Sequence, residues 1–130
     1  MAARPRVLVV EDDDAVREML VPALDETGFE IVAALDGLHA LRTAIAMQPD
    51  VVLLDLGLPN LDGSGYLEQW RERDVHARKV PVIVMSGQPY GQQIADELGA
   101  VQYFAKPFDI DVLIAAIQRH SRPRPSPPVV

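Results

Sequence analysis

Acidic, hydroxyl and amine side chains stand directly after the apolar runs of this sequence. Glu11 and Asp12 follow one run, Asp55 follows the most continuous run, Ser86 a later one and Lys106 the last. Carboxylates that lie close together repel one another unless a cation lies between them. Because oxygen ligands are those that Mg2+ prefers, the set predicts a magnesium site with a lysine beside it.

The acidic residues divide by their expected place around such an ion. Asp12 and Asp55 are predicted to bind Mg2+ directly and Glu11 through a water molecule. Gly57, two residues after Asp55, offers a backbone carbonyl as a further ligand.

This chemistry suits phosphoryl transfer to a carboxylate. Lys106 can pair with Asp55 or with an added phosphoryl group, and the Ser86 hydroxyl can donate a hydrogen bond to a phosphoryl oxygen. Gly87 lets the backbone approach closely at the same point. Asp55 is the predicted acceptor, which would form an aspartyl phosphate.

The elements that must position these residues alternate between strand and helix. Apolar runs predict strands at 7–10, 31–35, 51–54, 80–85 and 101–105. Helical patterns lie at 16–24, from 36–37 to just before Pro49, at 64–74, at 90–98 and at 110–117, with a cap near Asp109. Such alternation predicts a parallel sheet with helices on both faces and a binding crevice at the carboxyl ends of the strands.

Composition limits the remaining possibilities. The 130 residues are enough for one domain, predicted at 1–120, followed by a proline-rich disordered tail or linker at 121–130. The net charge of −7 argues against direct contact with nucleic acid, and no apolar run is long enough for membrane insertion. The absence of cysteine excludes disulfides and suits a cytoplasmic protein.

Four blocks occur in an order typical of one family: VLVVEDD, DVVLLDLGLPNLDG, VIVMSG and YFAKPF. With them the sequence resembles the receiver domain of two-component response regulators, the CheY-like superfamily, over residues 6–120. The resemblance implies an α/β protein with the flavodoxin-like (βα)5 fold, a three-layer sandwich whose five-stranded parallel sheet has the order 2-1-3-4-5.

The resemblance also implies partners and roles. Asp55 would accept phosphate from a phosphohistidine of a sensor histidine kinase or a histidine phosphotransfer protein, with Glu11 and Asp12 as the acidic pair. Tyr103 matches the aromatic residue that moves inward as Ser86 moves to the phosphoryl group. The output face would be the fourth helix, fifth strand and fifth helix, in a monomer or weak homodimer. The bond before Pro107 is expected to be cis.

Two departures leave other functions open. Gly57 has no side chain where many relatives carry a polar or larger one, and the segment from Ser86 to Lys106 is about two residues short, which predicts a shortened fourth helix. A small Mg2+-dependent phosphatase with an aspartyl nucleophile would need an acid at position 57. A pseudo-receiver that only binds partners would lack the acceptor, the acidic pair or the lysine. The sequence therefore favours a phospho-accepting signalling domain over a turnover enzyme.

Overall fold

The structure is a computed structural model that describes residues 4–58 and 62–121. The predicted tail lies outside the described residues except for Ser121, which ends the last helix. None of the described helices combines the length and apolar character needed to cross a membrane.

Within the described residues, five strands and five helices alternate, with one additional 3-10 helix. The strands are β1 (Arg6–Val10), β2 (Glu30–Ala34), β3 (Val51–Asp55), β4 (Val82–Ser86) and β5 (Gln102–Ala105). The helices are α1 (Asp14–Glu26), α2 (Gly37–Met47), α3 (Gly63–Arg73), α4 (Gly91–Glu97) and α5 (Ile110–His120), and the 3-10 helix is Val75–Lys79. The order of elements confirms the alternation predicted from the apolar runs.

The strands form one parallel sheet in the order β2-β1-β3-β4-β5, as predicted. β3 lies at the centre, and all five of its residues are buried. A strand buried on both faces is apolar throughout, which explains the uninterrupted run that precedes Asp55.

Two apolar layers cover the two faces of the sheet. Leu8, Val10, Val52, Leu54 and Val84 face the layer that α2, α3 and α4 complete. The alternate strand residues face the other layer, against α1 and α5. In the first layer the buried side chains of Tyr66 and Trp70 of α3 stack with their ring centroids 5.8 Å apart, so this pair packs the core.

Aspartates begin most of the helices. The side chains of Asp13, Asp36, Asp62 and Asp109 accept hydrogen bonds from backbone N–H groups of α1, α2, α3 and α5. The N-cap of α5 confirms the cap predicted near Asp109, and Asp13 caps α1 in the same way. α4 differs, since Tyr90 precedes it without a side-chain cap and the helix has only 7 residues. The shortened fourth helix is therefore confirmed.

Candidate functional site

The ladder of the sheet brings the predicted site residues to one edge. Glu11 follows β1 directly, Asp55 ends β3, Ser86 ends β4 and Lys106 follows β5. Asp55 lies opposite Met85, one residue before the end of β4, and Ser86 lies opposite Ala105, so three neighbouring strands end within one residue of each other. All these strands run in the same direction, and their carboxyl ends therefore form a single crevice.

Lys106 joins two buried acids in this crevice. Its Nζ donates to Glu11 Oε2 at 2.9 Å and to Asp55 Oδ2 at 3.2 Å. Glu11 is fully buried, and Asp55 is 6% exposed. The pairing with Asp55 was predicted, whereas the bond to Glu11 was not, because spacing along the chain does not show which of two acids lies nearer the amine.

Burial and neighbouring charges shift the pKa values of Glu11 and Lys106. Burial raises the pKa of Glu11 from 4.5 to about 7, since the hydrogen bond from Lys106 only partly offsets the loss of water and the nearby charge of Asp55 adds to the effect. Burial by itself would lower the pKa of Lys106, but its bonds to Glu11 and Asp55 leave that pKa raised. The lysine therefore stays charged at neutral pH.

Three carboxylates of the crevice are close enough to share one cation. One oxygen from each of Glu11, Asp12 and Asp55 lies within 4.8 Å of the other two. Asp12 is exposed while the other two are buried, so one ligand faces solvent and leaves room for water or phosphate oxygens. This donor set fits Mg2+, which takes one or two carboxylates and keeps several waters.

The backbone after β3 holds the other oxygen of the Asp55 carboxylate. The N–H of Gly57 donates to Asp55 Oδ1 at 3.2 Å. A Cβ at position 57 would lie 3.9 Å from that oxygen and 3.5 Å from Nε2 of Gln88. The Gln88 carboxamide therefore reaches the space that a side chain at position 57 would occupy.

Gln88 is not among the residues that the sequence predicts for the site, although it lies only two residues after Ser86. Its backbone N–H donates to Ser86 Oγ at 2.9 Å, so one residue contacts both the hydroxyl and the space beside Asp55. A glutamine in a loop carries no distinguishing pattern, and only the fold brings it beside Gly57.

Ser86 ends β4 and Gly87 follows it, whereas Tyr103 lies within β5 and reaches Ser86 with its side chain. Ser86 is 1% exposed, and Tyr103 Oη donates to its carbonyl oxygen at 3.4 Å. Gly87 lies next to Lys106, since a Cβ there would be 3.9 Å from the Cβ of the lysine. The peptide bond between Lys106 and Pro107 is cis, as expected.

An apolar recess opens beside the lysine. It has a volume of about 380 Å3 and lies between α1 and the segment after β5, with Val16, Met19, Pro107 and Phe108 around Lys106. A second cleft, of about 700 Å3, is lined by Trp70 and by residues that precede β3 and β4, and so lies away from the acids. Only the first adjoins the candidate site.

The fold and the crevice define an α/β protein of the CheY-like type, with acids and one lysine at the carboxyl edge of the sheet. The sequence pattern of the response regulator receiver domain matches residues 7–118. The chain therefore belongs to the response regulator receiver domain family, a component of two-component signalling systems.

Curated relatives agree with this assignment. The transcriptional regulatory protein CseB of Streptomyces coelicolor is 41% identical over 120 residues, covering 91% of this chain and 50% of its own. The sporulation initiation phosphotransferase F of Bacillus subtilis is 35% identical over 119 residues, covering 88% of this chain and 92% of its own. The chain thus spans about half the length of some curated relatives it matches and nearly all of another.

Solved structures show the same fold. The chemotaxis protein CheY4 of Vibrio cholerae superposes with a TM-score of 0.82 at 28% identity, covering 91% of this chain and 99% of that one. A Francisella response regulator receiver domain gives a TM-score of 0.79 at 30% identity, with coverages of 89% and 95%.

Proposed function

We propose that this receiver domain, residues 1–120, accepts a phosphoryl group on Asp55 from a phosphohistidine. The observation that carries the proposal is the position of Asp55: it ends the central strand, is 6% exposed and accepts a hydrogen bond from Lys106. An acid that is nearly buried but charge-paired, at the mouth of a crevice, is suited to attack on phosphorus.

The transfer needs one bond made and one broken. An oxygen of Asp55 attacks phosphorus, the P–N bond of the phosphohistidine breaks, and its electron pair returns to the imidazole nitrogen. Lys106 neutralises charge on the phosphoryl oxygens, and the Ser86 hydroxyl donates to one of them. Glu11, Asp12, Asp55 and the Gly57 carbonyl would hold Mg2+, which neutralises further charge in the transition state when bound.

The donor proposed is a sensor histidine kinase or a histidine phosphotransfer protein. The apolar recess of Val16, Met19, Pro107 and Phe108 supports this, because it lies beside Lys106 where a helix carrying the phosphohistidine would have to approach. Met19 is 43% exposed, so part of the recess is available for contact.

The output proposed is a change in the surface of α4, β5 and α5, read by a downstream protein. Ser86 and Tyr103 connect the crevice to that surface, since Tyr103 lies on β5 and bonds to the Ser86 carbonyl. We place the domain in the cytoplasm as a monomer or weak homodimer, a phospho-accepting module that contacts no nucleic acid itself. Relatives named as transcriptional regulators are about twice as long, so a DNA-binding output would belong to another domain.

Phosphate uptake tests the proposal. We expect the chain, incubated with Mg2+ and acetyl phosphate, to gain the mass of one phosphoryl group by intact-protein mass spectrometry. Asp55→Asn should abolish the gain, because a carboxamide cannot accept the group. Removal of the metal with EDTA should suppress it.

Asp13→Asn is the matched control, because it makes the same chemical change in the same crevice region and asparagine preserves the N-cap of α1. It should take up phosphate as the wild type does. A wild type that gains no mass with any phosphodonor would favour a pseudo-receiver. Steady turnover of phosphate esters would favour a phosphatase. The sequence speaks against that function, because Gly57 supplies no second acid two residues after Asp55.

A further inference from the structure

A buried glycine begins α4 beside the ring of Tyr103. A Cβ at Gly91 would lie 2.6 Å from Tyr103 Oη and 2.9 Å from Tyr103 Cε2. It would also lie 2.9 Å from the Cβ of Ser86. Distances this short are incompatible with any side chain at position 91 unless a neighbour moves.

Backbone conformation does not explain this glycine. The described glycines with positive φ are Gly28 and Gly99, so Gly91 has a conformation that other residues adopt. Glycine also weakens a helix relative to alanine, and α4 has only 7 residues and no side-chain N-cap. What position 91 requires is therefore space.

The space is occupied by the ring that lies over Ser86. Tyr103 reaches from β5 across the end of β4, and its hydroxyl donates to the Ser86 carbonyl at 3.4 Å. Ser86 Oγ accepts from the N–H of Gln88 at 2.9 Å, in the loop that leads into α4. Ser86, Tyr103 and Gly91 thus meet at one point, where β4 ends, α4 begins and the Tyr103 side chain reaches across from β5.

This meeting point adjoins an exposed apolar surface. Tyr90, directly before Gly91, is 71% exposed, and Val101, two residues before Tyr103, is 45% exposed. A shift of the Tyr103 ring against Gly91 would change the distance between α4 and β5, and with it the spacing of these two side chains.

We propose that Gly91 is the positioning residue of the switch: it gives Tyr103 its inward place over Ser86 and so links that serine to the α4–β5 surface. The role in signalling rests on the proposed function, whereas the position of the ring does not. With a methyl group at position 91 the ring is displaced outward, because its far end can rotate whereas Ser86 Cβ is fixed to the end of a strand.

Fluorine NMR of protein labelled with 3-fluorotyrosine tests the position directly. The chain has three tyrosines, and two of them serve as references for solvent exposure, because Tyr66 is fully buried and Tyr90 is 71% exposed. Tyr103→Phe assigns the third resonance. We expect a neutral gadolinium chelate to broaden the Tyr103 resonance less than that of Tyr90 in the wild type, and markedly more in Gly91→Ala than in the wild type.

Gln93→Ala is the control, since it also introduces an alanine, a strong helix former, into α4 but on the exposed face of the helix. It should leave the broadening of the Tyr103 resonance unchanged. Equal broadening of Tyr103 in Gly91→Ala and the wild type would overturn the proposal. Phosphate uptake is measured separately by mass spectrometry. A wild-type chain that takes up no phosphate would refute the proposed function but would not change the conclusion about the position of the Tyr103 ring.

A double-mutant cycle covers the case in which Gly91→Ala is too unstable to label. Gly91→Ala should lower the thermal midpoint of unfolding of the otherwise wild-type chain. It should lower that midpoint less in a Tyr103→Val background, where the ring is gone and only the close contact with Ser86 Cβ remains. The same loss in both backgrounds would show that the ring is not the constraint, and would overturn the proposal.

Discussion

Lys106 allows two acids, Glu11 and Asp55, to lie close together in a buried site. Its bonds to Glu11 Oε2 and Asp55 Oδ2 place one positive charge between two carboxylates that would otherwise repel each other. In the proposed transfer an incoming phosphoryl group needs that same charge, so the lysine would be shared between the acids and the phosphoryl oxygens. Asp55 is less buried than Glu11, which fits its proposed role as the acid that reacts while Glu11 stays behind it.

Gln88 is expected to lengthen the life of the phosphoryl group. Its carboxamide reaches the space left by Gly57, whose Cβ would lie 3.9 Å from the acceptor oxygen. Water that hydrolyses an aspartyl phosphate must approach through such open space. Gln88→Ala should therefore shorten the half-life of the phosphorylated chain several-fold, measured as loss of the added mass after acetyl phosphate is removed.

Gln92→Ala controls for a nearby glutamine of the same size, because that side chain is exposed and bonded to Asp96 on the outside of α4. Its phosphorylated form should decay at the wild-type rate. An unchanged or longer half-life in Gln88→Ala would show that the carboxamide does not exclude water from this space.

At the scale of elements, the first turn of α3 packs directly against the main chain of Asp55. A Cβ at Gly63 would lie 2.7 Å from the backbone oxygen of Asp55 and 3.0 Å from Cα of Leu56. Gly63→Ala should therefore destabilise the domain by roughly 1–3 kcal/mol, the usual cost of overpacking, despite the better helix propensity of alanine. Urea unfolding followed by circular dichroism measures this change.

Glu68→Ala, on the exposed face of the same helix, is the comparison for Gly63→Ala and should change stability little. We also expect Gly63→Ala to slow phosphate uptake, since the contact it disturbs is the main chain of Asp55 itself. A Gly63→Ala variant as stable as the wild type would mean that α3 can move away from β3 at no cost.

Strands and helices could be predicted from the sequence wherever the pattern of apolar residues is enough to define them. The run before Asp55 gave β3 correctly, because a central strand is apolar on both faces. β4 begins at Val82 and not at residue 80, since Pro81 has no N–H to donate to a neighbouring strand. The 3-10 helix Val75–Lys79 was missed, because five polar and apolar residues in one short turn show no period.

The site was predictable for a different reason. Parallel strands carry their carboxyl ends to one edge, so residues such as Asp55 and Lys106 could be brought together from order alone. The contacts of Gln88 with the space at Gly57, and of Gly91 with Tyr103, depend on how a loop and a helix lie across the strand ends. Spacing in the sequence does not contain that information.

At the scale of the whole molecule, the two core layers meet the charged crevice only at the rim of the sheet. Leu54 and Met85 fill opposite layers, and each directly precedes a polar residue of the crevice, Asp55 or Ser86. This places the charged groups where water or a cation can reach one side of them, while the layers hold their main chain rigid. Stability and charge are nevertheless coupled, because Glu11 is fully buried.

That coupling predicts how stability depends on pH when no metal is added. The pKa of Glu11 is raised from 4.5 to about 7 in the folded chain, so between these values the folded state holds a proton that the unfolded state has released. The contribution of Glu11 to the free energy of unfolding is therefore full below pH 4.5 and falls as the pH rises towards 7. One proton limits the slope to about 1.4 kcal/mol per pH unit.

Urea unfolding in EDTA, compared between the wild type and Glu11→Gln across this range, isolates the effect, because the glutamine keeps the shape of the side chain and cannot ionise. The stability of the wild type relative to Glu11→Gln should fall as the pH rises. Mg2+ should then stabilise the wild type more at pH 8 than at pH 5, since it binds the folded acids and at low pH competes with the proton on Glu11. A relative stability that rises with pH would mean that the bond from Lys106 outweighs burial at Glu11.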